Sequence, residues 1–148
     1  MTVADELRYV EKYLRLEQAR FGERLKVRVQ VDPEVLQAVL PVLSLQPLVE
    51  NAVRHGVERK PEGGLVAIEG IDLGNDVALR VSDDGEGIDP DRAREALTGE
   101  GPGIGLGNVH ARLRSAFGEG YGLQIEAQER GTTVVMTLPK FRAGVRAA

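Results

Sequence analysis

Two pairs of short, strand-like segments, each joined by a tight turn, constrain the fold of this chain more than any other feature. Gly74-Asn75 separates the first pair and Glu129-Arg130-Gly131 separates the second. Short apolar runs with such turn residues between them are typical of β-hairpins. Another run, 26–31, alternates polar residues with Val and predicts an edge strand. The paired segments are 65–71 with 77–81 and 123–127 with 132–138.

Helical periodicity occupies much of the remaining chain. Asp32-Pro33-Glu34 is typical of a helix start. Pro41 and Pro47 divide a long apolar stretch, so we expect a short helix before Pro41 and a second helix with Pro47 in or near its first turns. The prediction is an α/β protein, a two-layer sandwich with helices on one face of a mixed, mostly antiparallel sheet. The predicted helices are about 5–19, 33–40, 43–57, 89–97 and 106–117.

Composition narrows the classes of function. A length of 148 residues suits one compact domain. Nineteen Lys and Arg against 23 Asp and Glu, with no basic block, argue against nucleic acid and against direct membrane contact by this chain. The absence of cysteine excludes disulfides, thiolate metal sites and cysteine nucleophiles, and it favours a cytoplasmic location. No apolar run approaches the length of a membrane span.

The first candidate site is a row of polar residues on the helix predicted around Pro47. Leu45, Leu48, Val49, Ala52 and Val53 form its apolar stripe, so the opposite side carries an acid, a carboxamide and two potential cations. Taken alone, the row is better explained as the solvated side of an amphipathic helix. Its members are Glu50, Asn51, Arg54 and His55.

The second candidate is the segment Ser82-Asp83-Asp84-Gly85-Glu86-Gly87-Ile88, directly after an apolar strand. A carboxylate at a strand end offers an acceptor for a purine amino group, and the glycines allow the backbone to come close to a ligand. An acidic turn is the alternative. A calcium loop is disfavoured, because the alternating oxygen ligands and the distant Glu of such loops are missing.

The third candidate is Gly101-Pro102-Gly103-Ile104-Gly105-Leu106-Gly107-Asn108, which leads into a predicted helix after an expected loop over 98–103. Glycines let successive N–H groups converge on an anion, and a helix N-terminus favours negative charge, so the segment indicates a phosphate cradle. It lacks the Gly-Lys-Ser/Thr of a P-loop and the features of a dinucleotide fold. A flexible linker is the alternative.

In order and spacing, these three segments and the strand that begins Gly131-Thr132-Thr133 resemble the ATP-binding fold shared by gyrase, the MutL mismatch-repair proteins and histidine kinases, the GHKL superfamily. The resemblance covers nearly the whole chain. Within it, residues 13–25 and 45–52 are similar to sensor histidine kinases of the autolysin-regulator type. The resemblance implies a Bergerat-type sandwich that binds ATP and Mg²⁺.

The resemblance also implies residue roles. Asn51 would coordinate the magnesium, Asp83 would accept a hydrogen bond from the adenine amino group, and Glu50 with Asn51 would be the catalytic pair. Residues from about 89 to 102 would form the ATP lid. The implied nucleotide-binding set is Asn51, Arg54, His55, Asp83, Gly85, Gly87, Ile88, Gly103, Ile104, Gly105, Leu106, Gly107, Asn108 and Thr132.

Two departures from the family pattern qualify these roles. Related ATP hydrolases carry a glutamate four residues before the asparagine, where this chain has Pro47, so slow hydrolysis by water is expected. Neither His55 nor His110 matches the phosphoacceptor motif. We expect His110 to be a helix-surface residue, and His55 to be either that or a residue lining the site.

The sequence therefore predicts the catalytic domain of a two-component sensor histidine kinase, which transfers the γ-phosphate of ATP to a histidine on an upstream segment absent here. We expect residues 1–22 to be a remnant of the dimerisation and phosphoacceptor helix, with an exposed apolar face and only a loose cap at Thr2 and Asp5. Residues 23–142 would be the catalytic domain, and 143–148 a frayed tail.

The expected partners are the upstream segment and, indirectly, a response regulator. Dimerisation of the parent protein and its attachment to the inner membrane are left open. The alternatives are a non-catalytic module that responds to ATP, a serine kinase of the anti-sigma type, and an interaction domain that binds no nucleotide.

Overall fold

A computed structural model describes residues 1–87, 89–98, 104–128 and 130–140. It contains a five-stranded sheet with strand order β1-β2-β3-β5-β4, in which only the β1–β2 pairing is parallel. The predicted α/β sandwich on a mixed, mostly antiparallel sheet is confirmed. The elements are α1 (Val3–Phe21), a 3-10 turn (Gly22–Arg24), β1 (Leu25–Val31), a 3-10 helix (Pro33–Gln37), α2 (Leu45–Val53) with a π-helical extension (Arg54–Glu58), β2 (Gly64–Asp72), β3 (Asp76–Asp83), α3 (Pro90–Thr98), α4 (Ile104–Phe117), β4 (Gly122–Ala127) and β5 (Thr132–Pro139).

The two faces of the sheet differ as the period-2 pattern requires. Ile68, Val81 and Val134 lie side by side on three adjacent strands and are almost fully buried in the core that the helices cover. The opposite face carries polar cross-strand contacts instead. There the Arg80 guanidinium donates to the Glu126 carboxylate at 3.0 Å. The helices therefore cover one face, which fixes the register of every strand.

Helix α1 is an integral part of the core. Its buried residues include Leu7, Val10 and Leu14, so the expectation of an exposed apolar face is wrong. The physical reason is that α1 packs against α2 and β1, and its apolar side closes the core there. The cap is also tighter than expected, because Thr2 and Asp5 form a complete capping box. The assignment of residues 1–22 to a dimerisation helix stays a prediction.

Helix α2 carries Pro47 in its first turn, as predicted, where the missing N–H costs no helical hydrogen bond. From Arg54 to Glu58 the helix widens into a π-helical turn that buries Gly56 and Val57. Such widened turns recur at functional sites, because they redirect the side chains that follow. Arg59 and Lys60 directly follow this turn.

Helix α4 begins at Ile104, two residues earlier than predicted, so part of the glycine-rich segment is helical. The helix is tied to β4 by His110, whose Nδ1 accepts a hydrogen bond from the backbone N–H of Leu123 at 2.9 Å. The expectation that His110 is only a surface residue is therefore wrong. The loop predicted at 98–103 lies outside the described residues after Thr98, and so does the tail predicted at 143–148.

Within the described ranges, no helix combines the length and the apolar character that a membrane span requires.

Two leucines on α1 test whether this helix belongs to the folded domain. Leu14 is 3% exposed and Leu16 is 70% exposed. We expect Leu14→Ala to lower the free energy of unfolding by about 2–5 kcal/mol, because it leaves a cavity in the core. Leu16→Ala, the matched control, should change it by no more than about 0.5 kcal/mol. Urea denaturation measures both, and small effects for both variants would contradict the packing of α1.

Candidate nucleotide-binding site

A cleft lies between the end of α2, helix α3, the first turns of α4 and the strands β4 and β5. One part of its wall is apolar and is formed by Ala96, Leu106, Ile125 and Val134. The rest is polar and charged, so the cleft combines a surface for a flat apolar group with groups for charged ones. The polar lining consists of Asn51, Arg54, His55, Arg59, Glu86, Gly87, Arg92, Glu95 and Thr132.

Three arginines, Arg54, Arg59 and Arg92, line the cleft together with two acids, Glu86 and Glu95. Burial lowers the pKa of His55 below its usual value, and the charges of Arg59, Arg54 and Arg92 lower it further. The imidazole is therefore neutral at pH 7, while the three guanidinium groups remain charged. A cluster of cations on the wall of a cleft attracts anions such as phosphate groups.

The polar row of α2 is divided between two sides of the helix. Asn51, Arg54 and His55 line the cleft, as predicted. Glu50 does not, and its carboxylate accepts a hydrogen bond from the Gln46 side chain at 3.0 Å. Burial raises the pKa of Tyr13 on α1 to about 12, and the charge of Glu50 contributes to that shift. Glu50 thus lies outside the cleft lining and close enough to Tyr13 for its charge to affect the phenol.

Asp83 ends β3 with a carboxylate that is only 8% exposed. Its Oδ1 accepts a hydrogen bond from the N–H of Gly85 at 2.9 Å. Burial raises its pKa to about 6, and neighbouring Asp84 adds to the shift, while backbone N–H bonds and Lys60 oppose it. Asp83 is not part of the cleft lining, but its partner across the β3–β5 ladder, Thr132, is. The carboxylate is therefore buried directly beside the cleft.

The glycines of this region make room for backbone. A Cβ on Gly85 would lie 2.3 Å from the carbonyl oxygen of His55, and one on Gly131 would lie 1.8 Å from that of Asp83. Both distances are impossible contacts, so these glycines let the π-helical turn and the start of β5 close around Asp83. Gly56 serves the same packing, because its Cβ would lie 2.8 Å from the Asp83 Cβ.

The structure brings six of the predicted nucleotide-binding residues together at the cleft: Asn51, Arg54, His55, Gly87, Leu106 and Thr132. Six predicted site residues lie outside its lining: Glu50, Asp83, Gly85, Gly105, Gly107 and Asn108. The last three belong to the first turns of α4, where Gly105 and Asn108 are exposed and Gly107 is buried. Ile88, Gly103 and the side chain of Ile104 lie outside the described residues.

Several lining residues were not predicted individually, although three of them lie in the segment 89–102 that the resemblance assigns to the ATP lid. Arg92, Glu95 and Ala96 come from α3, and their spacing of three and four residues places them on one side of that helix. This periodicity was a usable signal in the sequence. Arg59 had no such signal, because its position depends on the π-helical turn before it. Glu86, Ile125 and Val134 were likewise missed as site residues.

Comparison with known proteins agrees with this geometry. Residues 38–142 match the family described as histidine kinase-, DNA gyrase B- and HSP90-like ATPases. The chain belongs to this ATPase family. The predicted resemblance is thus confirmed, and the family match implies that this domain binds a nucleotide.

Curated relatives extend the similarity beyond the family match. The chain is 41% identical over 145 residues to the sensor histidine kinase YpdA of Escherichia coli K12, covering 97% of this chain and 25% of that protein. It is 39% identical over 140 residues to the sensor histidine kinase YesM of Bacillus subtilis 168, covering 94% of this chain and 24% of that protein. The chain therefore spans about a quarter of the length of these relatives.

Solved structures support the fold. The catalytic domain of the histidine kinase ThkA superposes with a TM-score of 0.75 at 17% identity, covering 95% of this chain and 94% of that one. The mycobacterial sensor histidine kinase MprB gives a TM-score of 0.66 at 20% identity, covering 90% of this chain and 93% of that one. At these identities the likeness concerns the fold alone.

The buried charge of Asp83 predicts a stabilised variant. Its folded pKa of about 6 exceeds the ordinary value of 3.8, so ionisation of this carboxyl opposes folding at neutral pH. We expect Asp83→Asn to raise the free energy of unfolding by on the order of 2 kcal/mol at pH 7.5. The gain should shrink as the pH falls from about 6 toward 3.8, since the wild-type carboxyl then becomes protonated in the folded state.

Urea denaturation at several pH values measures this difference. Asp91→Asn, at an exposed carboxylate on α3, is the control and should change stability by less than about 0.5 kcal/mol. A pH-independent difference for Asp83→Asn would contradict the raised pKa.

Proposed function

We propose that this chain is the ATP-binding catalytic domain of a two-component sensor histidine kinase, which binds Mg·ATP and donates the γ-phosphate to a histidine on an upstream segment. The observation that carries the proposal is the convergence of Arg54, Arg59 and Arg92 near Asn51 in one cleft, with the buried Asp83 carboxylate beside it.

The apolar part of the cleft suits the adenine ring. Ile125 and Val134 offer flat apolar contact on one wall, and Thr132 supplies a hydroxyl beside them. Asp83 provides a buried acceptor for the adenine amino group, the role the resemblance implies. A buried acceptor of this kind discriminates among bases, because a base without the matching donor adds no hydrogen bond to the carboxylate.

The arginines of the cleft suit the phosphates. The three arginines and Asn51 line the same cleft. Magnesium keeps several waters and is bound through few protein ligands plus substrate phosphates. Asn51 fits that need, and in the described part of the chain there is no cluster of three or more acidic or histidine side chains that would form an all-protein cage. When bound, the metal would neutralise phosphate charge.

Transfer itself requires positioning more than side-chain chemistry. A P–N bond to the acceptor imidazole forms while the P–O bond to ADP breaks. The electron pair of the broken bond leaves with ADP, and the imidazole releases its N–H proton to a nearby base. Pro47 occupies the position of the water-activating glutamate of related hydrolases, which preserves the γ-phosphate for the protein acceptor. Glu50, whose carboxylate accepts a hydrogen bond from the Gln46 side chain outside the cleft lining, is the base proposed to receive that proton.

The proposed partners are the upstream phosphoacceptor segment and a response regulator. ThkA has been described in complex with the response regulator protein TrrA, and we propose a regulator of that class for the parent of this chain. The assignment of residues 1–22 to the base of the upstream segment and of 23–142 to the catalytic domain belongs to the same proposal.

The proposal is tested by calorimetric titration of ATP with and without magnesium. We expect wild type to bind ATP in a magnesium-dependent manner. Asp83→Asn should lose about tenfold or more in affinity, and Asn51→Ala should lose the magnesium-dependent part. Asn75→Ala, in the β2–β3 turn, is the matched control for Asn51→Ala. No binding by folded wild type would refute the proposal.

A second arm separates a kinase from a regulatory module that only binds ATP. The domain is mixed with a separately produced dimerisation segment that bears an acceptor histidine, and labelled γ-phosphate is followed. Transfer that is lost in Asn51→Ala supports the kinase. Magnesium-dependent binding without any transfer would support the regulatory module.

Two arginines of α3, one in the cleft and one outside it, test whether cleft arginines bind phosphate. Arg92 lines the cleft, whereas Arg94 pairs with Asp91 on an exposed side of α3. We expect Arg92→Ala to weaken ATP binding by about tenfold, and ADP binding by less, because ATP carries the additional phosphate. Arg94→Ala should leave both affinities unchanged. Equal losses for the two variants, or none for Arg92→Ala, would remove this arginine from the phosphate site.

A further inference from the structure

Helix α2, which carries Asn51, does not cap its own N-terminus. Ser44 at the N-cap position makes no capping hydrogen bond, and its hydroxyl donates to the Pro41 carbonyl oxygen at 2.6 Å instead. The first N–H groups of the helix donate to a side chain of α1 instead. The Oε1 atom of Glu6 accepts the N–H of Leu45 at 2.7 Å and that of Gln46 at 3.4 Å. A side chain 39 positions away in the sequence thus caps the helix.

The other end of the same helix is held by a residue from the turn after α1. One Nη2 atom of Arg24 donates to the carbonyl oxygens of Val57 at 3.2 Å and Lys60 at 2.9 Å, at the end of the π-helical extension. The guanidinium lies over the ring of Phe21, with 5.4 Å between Cζ and the ring centroid. Burial raises the pKa of the Glu6 carboxyl above its usual value, and the backbone N–H groups of Leu45 and Gln46 oppose that shift. The Arg24 cation at the C-terminus complements the helix dipole.

These two contacts are costly ways to hold a helix. Glu6 is only 1% exposed. Its second oxygen, Oε2, and the Nε atom of Arg24 are the buried side-chain polar atoms without a hydrogen-bond partner in the described part of the protein. Burying a charged group with an unpaired atom costs free energy, and a Ser or Thr N-cap would stabilise the helix at less expense. Stability alone therefore does not account for this arrangement.

We propose that Glu6 and Arg24 are positioning residues that hold the magnesium-binding Asn51 in place by clamping both ends of α2. The inference rests on the proposed function, because it assumes Mg·ATP at Asn51. Both residues precede the matched family region, 38–142, so the segment before that region contributes to the site without lining it. A shift of α1 relative to the sheet would thereby move Asn51 with it.

The test compares ATP affinity with and without magnesium, since only the magnesium-dependent increment reports on Asn51. Glu6→Met has similar length but no strong acceptor, and we expect it to reduce the increment about three- to tenfold. Arg24→Met should do the same. Affinity without magnesium should stay within about twofold of wild type for both. Glu6→Gln retains an acceptor oxygen and should restore most of the increment.

The matched control variants come from α1. Glu11→Met and Arg15→Met remove the same kinds of charge from α1 at positions without these contacts, and they should leave the increment unchanged. In the Asn51→Ala background, Glu6→Met should have no further effect on the increment, because both act through the same amide. If Glu6→Met does not fold, Arg24→Met and Arg24→Lys carry the comparison, and Lys should retain part of the increment.

Two results would overturn the inference. A folded Glu6→Met or Arg24→Met protein with the full increment would show that the clamp does not position Asn51. Equal losses with and without magnesium would reduce the contacts to general stabilisation. Failure of the proposed function looks different, since wild type would then show no increment for any variant to lose.

Discussion

The burial of the Asp83 carboxylate at the end of β3 sets the conditions for everything around it. The group is charged at neutral pH at a cost in free energy, and close packing of backbone keeps it out of water. That packing is possible only because Gly56, Gly85 and Gly131 have no side chains. A Cβ at any of these positions would collide with Asp83 or with adjacent backbone atoms of the same chain. The fold thus gives up stability to hold a carboxylate that is largely removed from water.

Much of this arrangement could be predicted from the sequence, for identifiable reasons. The hairpins at Gly74 and Gly131 are local features, and period-2 alternation fixed which face of the sheet is covered. Asn51, Arg54 and His55 all line the cleft, as their spacing of three and four residues predicts. These predictions need only short stretches of chain, and a local pattern determines them.

The remaining features depend on contacts between distant segments. The sequence does not show that α2 widens at Arg54, and this turn decides where Arg59 points. Nor does a local pattern reveal that His110 would accept a backbone N–H from β4, or that α1 would close the core. The catalytic role of Glu50 stays a prediction, since its carboxylate accepts a hydrogen bond from the Gln46 side chain and lies outside the cleft lining.

The packing of α1 restricts how the domain can associate. One side of a helix can be buried only once, and Leu7, Val10 and Leu14 already occupy that side. A second helix that joined α1 in a bundle would therefore have to contact the opposite side, where Tyr9 and Leu16 are exposed, or pull α1 off the sheet. Contact through the exposed side leaves the domain intact. Removal of α1 from the sheet replaces its hydrophobic contacts in the core by contacts with the second helix. The buried side of α1 cannot contact the sheet and a second helix at the same time. Packing of α1 on its own domain and packing of α1 in a helical bundle through this side are therefore competing states.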